Sequence, residues 1–356
     1  MSSKTCPYKD RVSGNIIIAN NDFCPSRGKQ CVITPDCTVV SDMYSFKYVG
    51  DFSDLSRSMD DVTLLSSITD TIDLTFAKLP DTITSLTFSS FKIFKEPPVT
   101  FHWPENLYKI TYEYNNAQTF APIIPRSVQS LAIRADTIDQ PRRIPPNAKR
   151  LQLNARKTIS KIDATGVTRL YIGRVGKCSI SHLKVNSSLE LIYFKNDGIT
   201  GWVMDAETFD VVNQLKPQGN YSNSELAEMK GFFFDIPTSG PPFSITTSKE
   251  ECDRSGGQLQ ELQQFRQVSH GPFREGVKAT FIVCVLPPGS RIDFDEAESS
   301  SLSTGAIVGI VLGGVAILIA ILYAIRRTLA KQRAKNVADD EPSTTTASAH
   351  VSSTTP

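Results

Sequence analysis

The chain has 356 residues, a formal net charge of +1 and 40% hydrophobic residues. This length suits two average domains or one long array of repeats, and the composition predicts a buried core. The near-zero net charge argues against nucleic acid as a partner. All seven cysteines precede Thr304, which predicts that this region lies in an oxidising compartment.

The chain starts without a recognisable export signal. A secretory signal needs a run of about 7–15 apolar residues, and the early apolar run at residues 16–19 is shorter than that. We therefore expect either a translation start upstream of Met1 or export through an internal segment.

Four closely spaced cysteines follow, in a polar stretch with turn signals such as Cys24-Pro25-Ser26. They predict two disulfides, with three alternative pairings left open. A zinc site is the alternative, but the stretch has no C-x-x-C motif and no histidine precedes His102. We expect residues 1–60 to form a disulfide-stapled cap over the open end of a repeat array. The cysteines are Cys6, Cys24, Cys31 and Cys37.

Residues 61–215 carry a short repeated pattern, an apolar-x-apolar triplet. In four copies a proline stands six positions before the triplet, as Pro80 does before Leu86. In most copies an apolar residue stands three positions before it, as Ile83 does. Successive triplets lie 19 to 24 residues apart. The triplets are Leu86-Thr87-Phe88, Ile110-Thr111-Tyr112, Leu131-Ala132-Ile133, Leu151-Gln152-Leu153, Leu170-Tyr171-Ile172 and Leu191-Ile192-Tyr193.

The triplets predict short strands stacked into a parallel sheet. A period of two sends the first and third side chains to one face of a strand and the middle one to the other. Stacked repeats then share one continuous core. Proline lacks an N–H group and suits the turn before a strand. A β-sandwich with proline-marked turns is the alternative.

This frame resembles the leucine-rich repeat, whose units of about 20–29 residues carry L-x-x-L-x-L. The resemblance implies an α/β solenoid, mainly of short parallel β-strands, with an irregular convex side and disulfide-stapled caps. The sequence departs from the family at the position five after the first triplet residue. That position is usually asparagine, and here only Asn115 and Asn196 match it.

The outward positions of the predicted sheet are rich in cations. Arg150 and Arg169 hold the same position on consecutive repeats, which places them about 5 Å apart. Like charges this close repel each other unless an anion satisfies them. A solvated face balanced by Glu113 and Glu190 is one interpretation. The other is a ligand surface whose guanidinium groups bind carboxylates. Its candidate residues are Arg134, Arg150, Gln152, Arg169, Tyr171 and Arg174.

Residues 216–288 are predicted to form a second cap after a short helix at residues 205–215. Cys252 and Cys284 are the only cysteines in this region, and we expect a disulfide between them. We interpret the remaining Cys178 as a small buried hydrophobic residue. Glycosylation sequons at Asn186 and Asn220 are compatible with an exported domain.

Residues 305–325 are predicted to form one transmembrane helix, because they are 21 consecutive uncharged residues and about 20 apolar residues span a bilayer. An acidic, serine-rich stalk at residues 289–304 precedes them, and a basic segment opens the tail at residues 326–356. The positive-inside rule places this tail in the cytoplasm and the repeats outside. The tail is too short and polar to fold by itself. Gly305, Gly309 and Gly313 lie four apart, which predicts close packing with a second copy or a lateral membrane partner.

Catalytic motifs are missing from the sequence. It contains no G-x-S-x-G, P-loop, H-E-x-x-H or G-x-G-x-x-G motif, and its four histidines show no metal-ligand spacing. A β-helix hydrolase needs acidic residues on neighbouring strands, and Glu113 and Glu190 lie four repeats apart. We therefore expect no enzyme activity, no cofactor and no metal site.

The predicted architecture resembles single-span, receptor-like proteins with leucine-rich repeat ectodomains, without the kinase domain. The resemblance implies a plasma-membrane receptor-like or co-receptor protein that binds an extracellular peptide, protein or acidic glycan. Two other classes stay open: a cell-surface adhesion or structural protein, and a tail-anchored protein with cytosolic repeats. The cysteine positions, the sequons and the flanking charges weigh against the tail-anchored class.

Overall fold

The computed structural model describes residues 5–68, 71–91, 93–95, 98, 100–113, 124–139, 142–174, 177–195, 198–215, 230–234, 244–262 and 280–290. They belong to one compact unit, Met1–Ala297. The predicted span at residues 305–325 with its three glycines, the tail and Asn220 lie outside the described residues. Among the described residues, no helix has the length and hydropathy that a membrane crossing requires.

The described elements are short strands and two short helices. The N-terminal strands are β1 (Ile16–Ile18), β2 (Cys31–Ile33), β3 (Val39–Val40) and β4 (Tyr48–Val49). The repeats contribute β5 (Asp61–Leu65), β6 (Thr71–Ile72), β7 (Ser85–Ser89), β8 (Ile93–Phe94), β9 (Lys109–Glu113), β10 (Ser130–Ile138), β11 (Arg142–Arg143), β12 (Arg150–Asp163), β13 (Arg169–Arg174), β14 (Cys178–Lys184), β15 (Leu191–Lys195) and β16 (Ile199–Met204). The C-terminal elements are α1 (Ala206–Gln214), β17 (Gly231–Phe234), β18 (Ile245–Thr246), α2 (Lys249–Arg254), β19 (Gln258–Glu261) and β20 (Phe281–Val285).

A parallel β-solenoid forms the body of this unit. Its first ladder stacks β5, β7, β9, β10, β12, β13, β15 and β17 in parallel. Alternate side chains of these strands point into one shared core. The prediction of a parallel sheet with the triplet ends inside is confirmed for the first five triplets. The buried ends are Leu86, Phe88, Ile110, Tyr112, Leu131, Ile133, Leu151, Leu153, Leu170 and Ile172.

A tight turn precedes these strands, and the prolines begin it. The N–H of Ile83 donates to the carbonyl of Pro80 over 3.1 Å, and Ala148 donates to Pro145 over 2.9 Å. Proline suits this first turn position because its missing N–H is not needed there. Ala164 and Asn186 take the same position before β13 and β15, with bonds of 3.1 and 2.9 Å from Val167 and Leu189.

The predicted sixth triplet, Leu191-Ile192-Tyr193, is wrong because the core-facing pair starts one residue later. Ile192 aligns with Leu170 and Phe194 with Ile172, so these two face the core. The turn at Asn186 lies six positions before Ile192, which keeps the spacing of the other repeats. Phe232 aligns with Ile192 in turn, so β17 continues the same ladder.

A second parallel ladder packs into the same core. The later half of β12 pairs with β14, β14 with β16, and β16 with β20. The expected irregular convex side is therefore wrong for these coils. The reason lies in residues such as Thr158, Ile159 and Ile162, because β-branched side chains favour strands. The core-facing residues of this ladder are Ile159, Ile162, Ile180, Leu183, Trp202 and Met204.

The N-terminal cap is a four-stranded sheet in the order β3-β2-β1-β4. Disulfides join Cys6 to Cys37 and Cys24 to Cys31, which resolves the pairing that the sequence left open. Phe46 and Phe52 are fully buried and join the solenoid core. The N-terminal sheet region therefore contributes apolar side chains to the start of the solenoid core.

The C-terminal cap ends the second ladder. The predicted helix is α1, and its N-cap residue Asp205 accepts a hydrogen bond of 2.6 Å from the N–H of Thr208. Helix α2 carries Cys252, which is bonded to Cys284 of β20 as expected. The polar strand β19 pairs antiparallel with β20. This antiparallel edge interrupts the run of parallel strands.

Candidate ligand-binding face

The outward side chains of the first ladder form rows across the strands. One row aligns Lys109, Ser130, Arg150, Arg169 and Leu191. The next row, two residues further along each strand, starts with threonines and ends with aromatic residues. It aligns Thr63, Thr87, Thr111, Ala132, Gln152, Tyr171, Tyr193 and Phe233.

Five residues of these rows form what we call the Arg–Tyr patch: Arg150, Gln152, Arg169, Tyr171 and Tyr193. Arg150 pairs in register with Arg169, and Gln152 with Tyr171. The prediction that the two arginines hold the same position on neighbouring strands is therefore confirmed. The guanidinium carbon of Arg150 lies 5.5 Å from the centre of the Tyr171 ring. The rings of Tyr171 and Tyr193 meet edge to face, with centroids 6.1 Å apart. All five side chains are partly exposed.

Apolar residues of the same face pack against the two tyrosines. Leu191 and Phe233 are 0% and 3% exposed, and Tyr171 and Tyr193 pack against them. A tyrosine on a rigid apolar base keeps its ring in place, which lowers the entropy cost of ligand contact. The face therefore changes along the ladder from small polar residues to a fixed aromatic surface beside cations.

Two ion pairs lie along this ladder. Arg134 donates to Glu113 over 2.9 Å, and Glu190 accepts from Lys230 over 3.2 Å. Arg134 of the predicted ligand face therefore has a carboxylate partner on the neighbouring strand. Arg174 lies in β13 in register with Ala155, and the position of its side chain lies outside the description.

No family model, curated protein or solved structure matches this chain. The interpretation of the face therefore rests on its own geometry and chemistry.

Reactive groups lie away from the Arg–Tyr patch. Cys178 is buried and unpaired, and burial raises the pKa of its thiol to about 11. It is a core residue rather than a nucleophile, as interpreted from the sequence. The pKa of His182, on the second ladder, is lowered by burial and by the nearby charge of Lys161. No cluster of metal-ligating side chains occurs in the described part of the chain.

The sequon at Asn186 lies on the turn before β15. The side-chain oxygen of Asn186 accepts hydrogen bonds from the N–H groups of Gly166 and Ser188, over 3.3 and 3.1 Å. Ser187 and Ser188 are exposed. The turn therefore presents the sequon at the surface, with the amide oxygen engaged by the backbone.

Tyr193 is the patch residue that sequence reasoning missed. A sixth triplet that starts at the apolar Leu191 places Tyr193 on the core side of the strand. Leu189, three positions before Ile192, and Asn186, six before it, were the signals for the correct frame. In that frame Tyr193 is an outward residue next to Tyr171.

Proposed function

We propose that this protein is a receptor-like or co-receptor protein of the plasma membrane. Its leucine-rich-repeat-type solenoid lies outside the cell and binds an extracellular ligand, and residues 305–325 anchor it as a single span. The observation that carries the proposal is the in-register pair Arg150 and Arg169 beside Tyr171. Guanidinium groups side by side on neighbouring strands suit a carboxylate, because each can donate paired hydrogen bonds to it.

The disulfides support the proposed location outside the cell. Three of them staple the two caps, and disulfides persist in oxidising compartments. The basic segment after residue 325 supports a cytoplasmic tail. A tail-anchored protein would keep the same cysteines in a reducing cytosol, where this pattern is rare.

Ligand binding is tested by charge removal with a matched control. We expect Arg150→Ser with Arg169→Ser to weaken binding of anionic ligands on glycan and peptide arrays and to reduce its salt dependence, because fewer charges are engaged. Lys157→Ser with Lys177→Ser removes the same charge from two exposed residues outside the Arg–Tyr patch. Equal binding by both double variants would show that the face is merely solvated, which favours an adhesion or structural protein.

Topology is tested through the glycan and the tail. We expect wild-type protein from a eukaryotic host to lose mass on treatment with an N-glycosidase, and Asn186→Gln to lose less. A C-terminal epitope tag should be protected from protease outside intact cells, whereas the solenoid should be digestible. An unglycosylated chain with a solenoid protected inside the cell would establish the tail-anchored alternative.

A further inference from the structure

We propose that the edge of the solenoid formed by the turns before the first-ladder strands binds a second copy of this chain in antiparallel orientation. This inference goes beyond the proposed function and does not depend on the Arg–Tyr patch. It follows from the order of charges along this edge, which we call the turn strip. Its residues are all exposed: Asp60, Asp81, Glu105, Tyr108, Arg126 and Lys149.

Hydrogen bonds between coils hold successive turns in one row. The N–H of Tyr108 donates to the carbonyl of Thr84 over 2.8 Å, and the N–H of Gln129 donates to that of Tyr108 over 2.9 Å. The N–H of Glu105 also donates to the carboxylate of Asp81 over 2.9 Å. Equivalent residues of neighbouring turns therefore lie about 4.8 Å apart, which is the spacing of paired strands.

The charges of the turn strip change sign at its middle. Asp60 directly precedes β5, Asp81 lies in the turn before β7, and Glu105 lies in the turn before β9. Arg126 and Lys149 precede β10 and β12, the next two coils. A twofold axis that crosses the strip between β9 and β10 therefore places Glu105 of each copy against Arg126 of the other. The same rotation brings Asp81 near Lys149.

The central charges of the strip are not paired within the chain. Elsewhere in the solenoid, opposite charges on neighbouring coils do pair, as Arg134 and Glu113 do at 2.9 Å. Glu105 and Arg126 each follow the proline of neighbouring turns, and within the residues that the structure describes no ion pair joins them. The strip therefore offers both signs of charge to a partner.

Tyr108 supplies an exposed aromatic side chain where the sign of charge changes. It is 45% exposed, and in the antiparallel dimer it meets Gln129 of the other copy, which is also exposed. Tyrosine is enriched at the centres of protein interfaces, inside a ring of contacts that exclude water. A central aromatic residue between opposite charges suits an interface in which one surface binds itself around a twofold axis.

The size of the strip sets the expected strength of the dimer. The coils from β5 to β12 span four strand spacings, about 19 Å. A standard stable interface buries about 800 Å² on each partner, which is more than so narrow a strip offers. We therefore expect a weak dimer that is populated at high protein concentration. Asn186 begins the turn before β15, two coils beyond Lys149, so a glycan there lies outside the strip.

The experiment measures energy transfer between donor-labelled and acceptor-labelled full chains in detergent. Every chain carries Gly309→Ile with Gly313→Ile, so that the predicted contact between spans does not contribute. The swap variant adds Glu105→Lys with Arg126→Glu, which leaves the net charge unchanged. We expect two swapped chains to associate as tightly as two unswapped chains, because opposite charges still meet. A mixed pair should associate about tenfold more weakly, because like charges then meet at both contacts.

The control swap is Lys249→Glu with Asp253→Lys, which exchanges an exposed ion pair on α2. Chains with this swap should associate normally with unswapped chains. Added salt should weaken every matched pair, because exposed charges are screened. Equal association of mixed and matched pairs, or no association of unswapped chains at about 100 μM, would overturn the proposal. Tighter association of mixed pairs would show parallel packing and contradict the antiparallel arrangement.

A second measurement decides if the Glu105 and Arg126 swap lowers the thermal unfolding midpoint. Chains with Tyr108→Cys are mixed with chains that carry Gln129→Cys under mild oxidation. The antiparallel dimer should link one kind of chain to the other. Preferential linking of Tyr108→Cys chains to each other, or no linking at all, would contradict it.

Discussion

Leu151 is fully buried in the first ladder, where it stacks between Leu131 and Leu170. We expect Leu151→Ala to lower the free energy of unfolding by about 2–5 kcal/mol, because it removes buried methyl groups and leaves a cavity. Chemical denaturation measures this loss. Gln152→Ala, one residue away on the outward side, is the matched control and should cost much less. Similar losses for both would contradict the alternation of faces in β12.

His182 makes stability depend on pH. Burial and the charge of Lys161 lower its pKa in the folded protein, opposed by Asp205. Below the ordinary histidine pKa of about 6.5, the unfolded chain binds a proton that the folded chain does not. The free energy of unfolding therefore falls as pH decreases from the ordinary pKa to the lowered pKa of the folded protein. Above the ordinary pKa this contribution of His182 is constant.

The test is denaturant unfolding at about pH 7.5 and about pH 5.5, for the wild type and for His182→Gln. The variant should lose less stability between the two pH values, because it lacks the proton-linked group. Lys157→Gln, an exposed change on the same strand as Lys161, serves as the control and should behave like the wild type. Identical slopes for all three proteins would assign the pH dependence to other groups.

Single residues also show how far sequence reasoning reached. The register of Arg150 with Arg169 followed from counting positions, because both repeats keep the same spacing between turn and strand. The same counting failed at Leu191, since an apolar residue at an outward position imitates a core position. Pairing of Arg134 with Glu113 depends on side-chain conformation across strands, which a one-dimensional pattern does not specify.

At the scale of elements, the disulfide of the C-terminal cap should stabilise the last coil more than the rest of the solenoid. Cys252 and Cys284 are 32 residues apart, and closing such a loop restricts the unfolded chain by about 3–4 kcal/mol. We expect Cys252→Ser with Cys284→Ser to increase hydrogen exchange in β19 and β20 before the first-ladder strands respond.

Cys178→Ala is the control for this cysteine variant. It removes a buried thiol that forms no disulfide. Any loss of stability in this variant should therefore come from poorer packing around β14 and not from a lost crosslink. Uniform destabilisation of the whole solenoid by the double serine variant would mean that the cap and the coils unfold as one cooperative unit.

The second ladder was the element that the sequence did not reveal. Its strands begin at different distances after the first-ladder strands, so their residues show no constant period. Long strands such as β12 also run through the corner between the two ladders. The pairing of the four N-terminal cysteines was a similar case, because cysteine spacing alone permits three pairings.

At the scale of the whole molecule, the proposed span at residues 305–325 carries glycines at positions 305, 309 and 313, which predict association within a membrane. Small residues four apart allow two helix backbones to approach closely. We expect Gly309→Ile with Gly313→Ile to abolish crosslinking of the full-length protein to itself or to a lateral partner. Leu318→Ile with Leu322→Ile, changed on the bulky half of the span, should leave it intact. Unchanged crosslinking in the glycine variant would identify the span as a plain anchor.

The turns that begin each coil have a consequence for how such a protein changes in evolution. Every coil from Pro80 to Leu189 starts with the same turn and returns the chain to the same register. Duplication or loss of one whole repeat would therefore keep the register of the first ladder, whereas an insertion or deletion of a few residues would shift a full row of its side chains. Relatives of this chain should differ in length by whole coils, with both stapled ends kept.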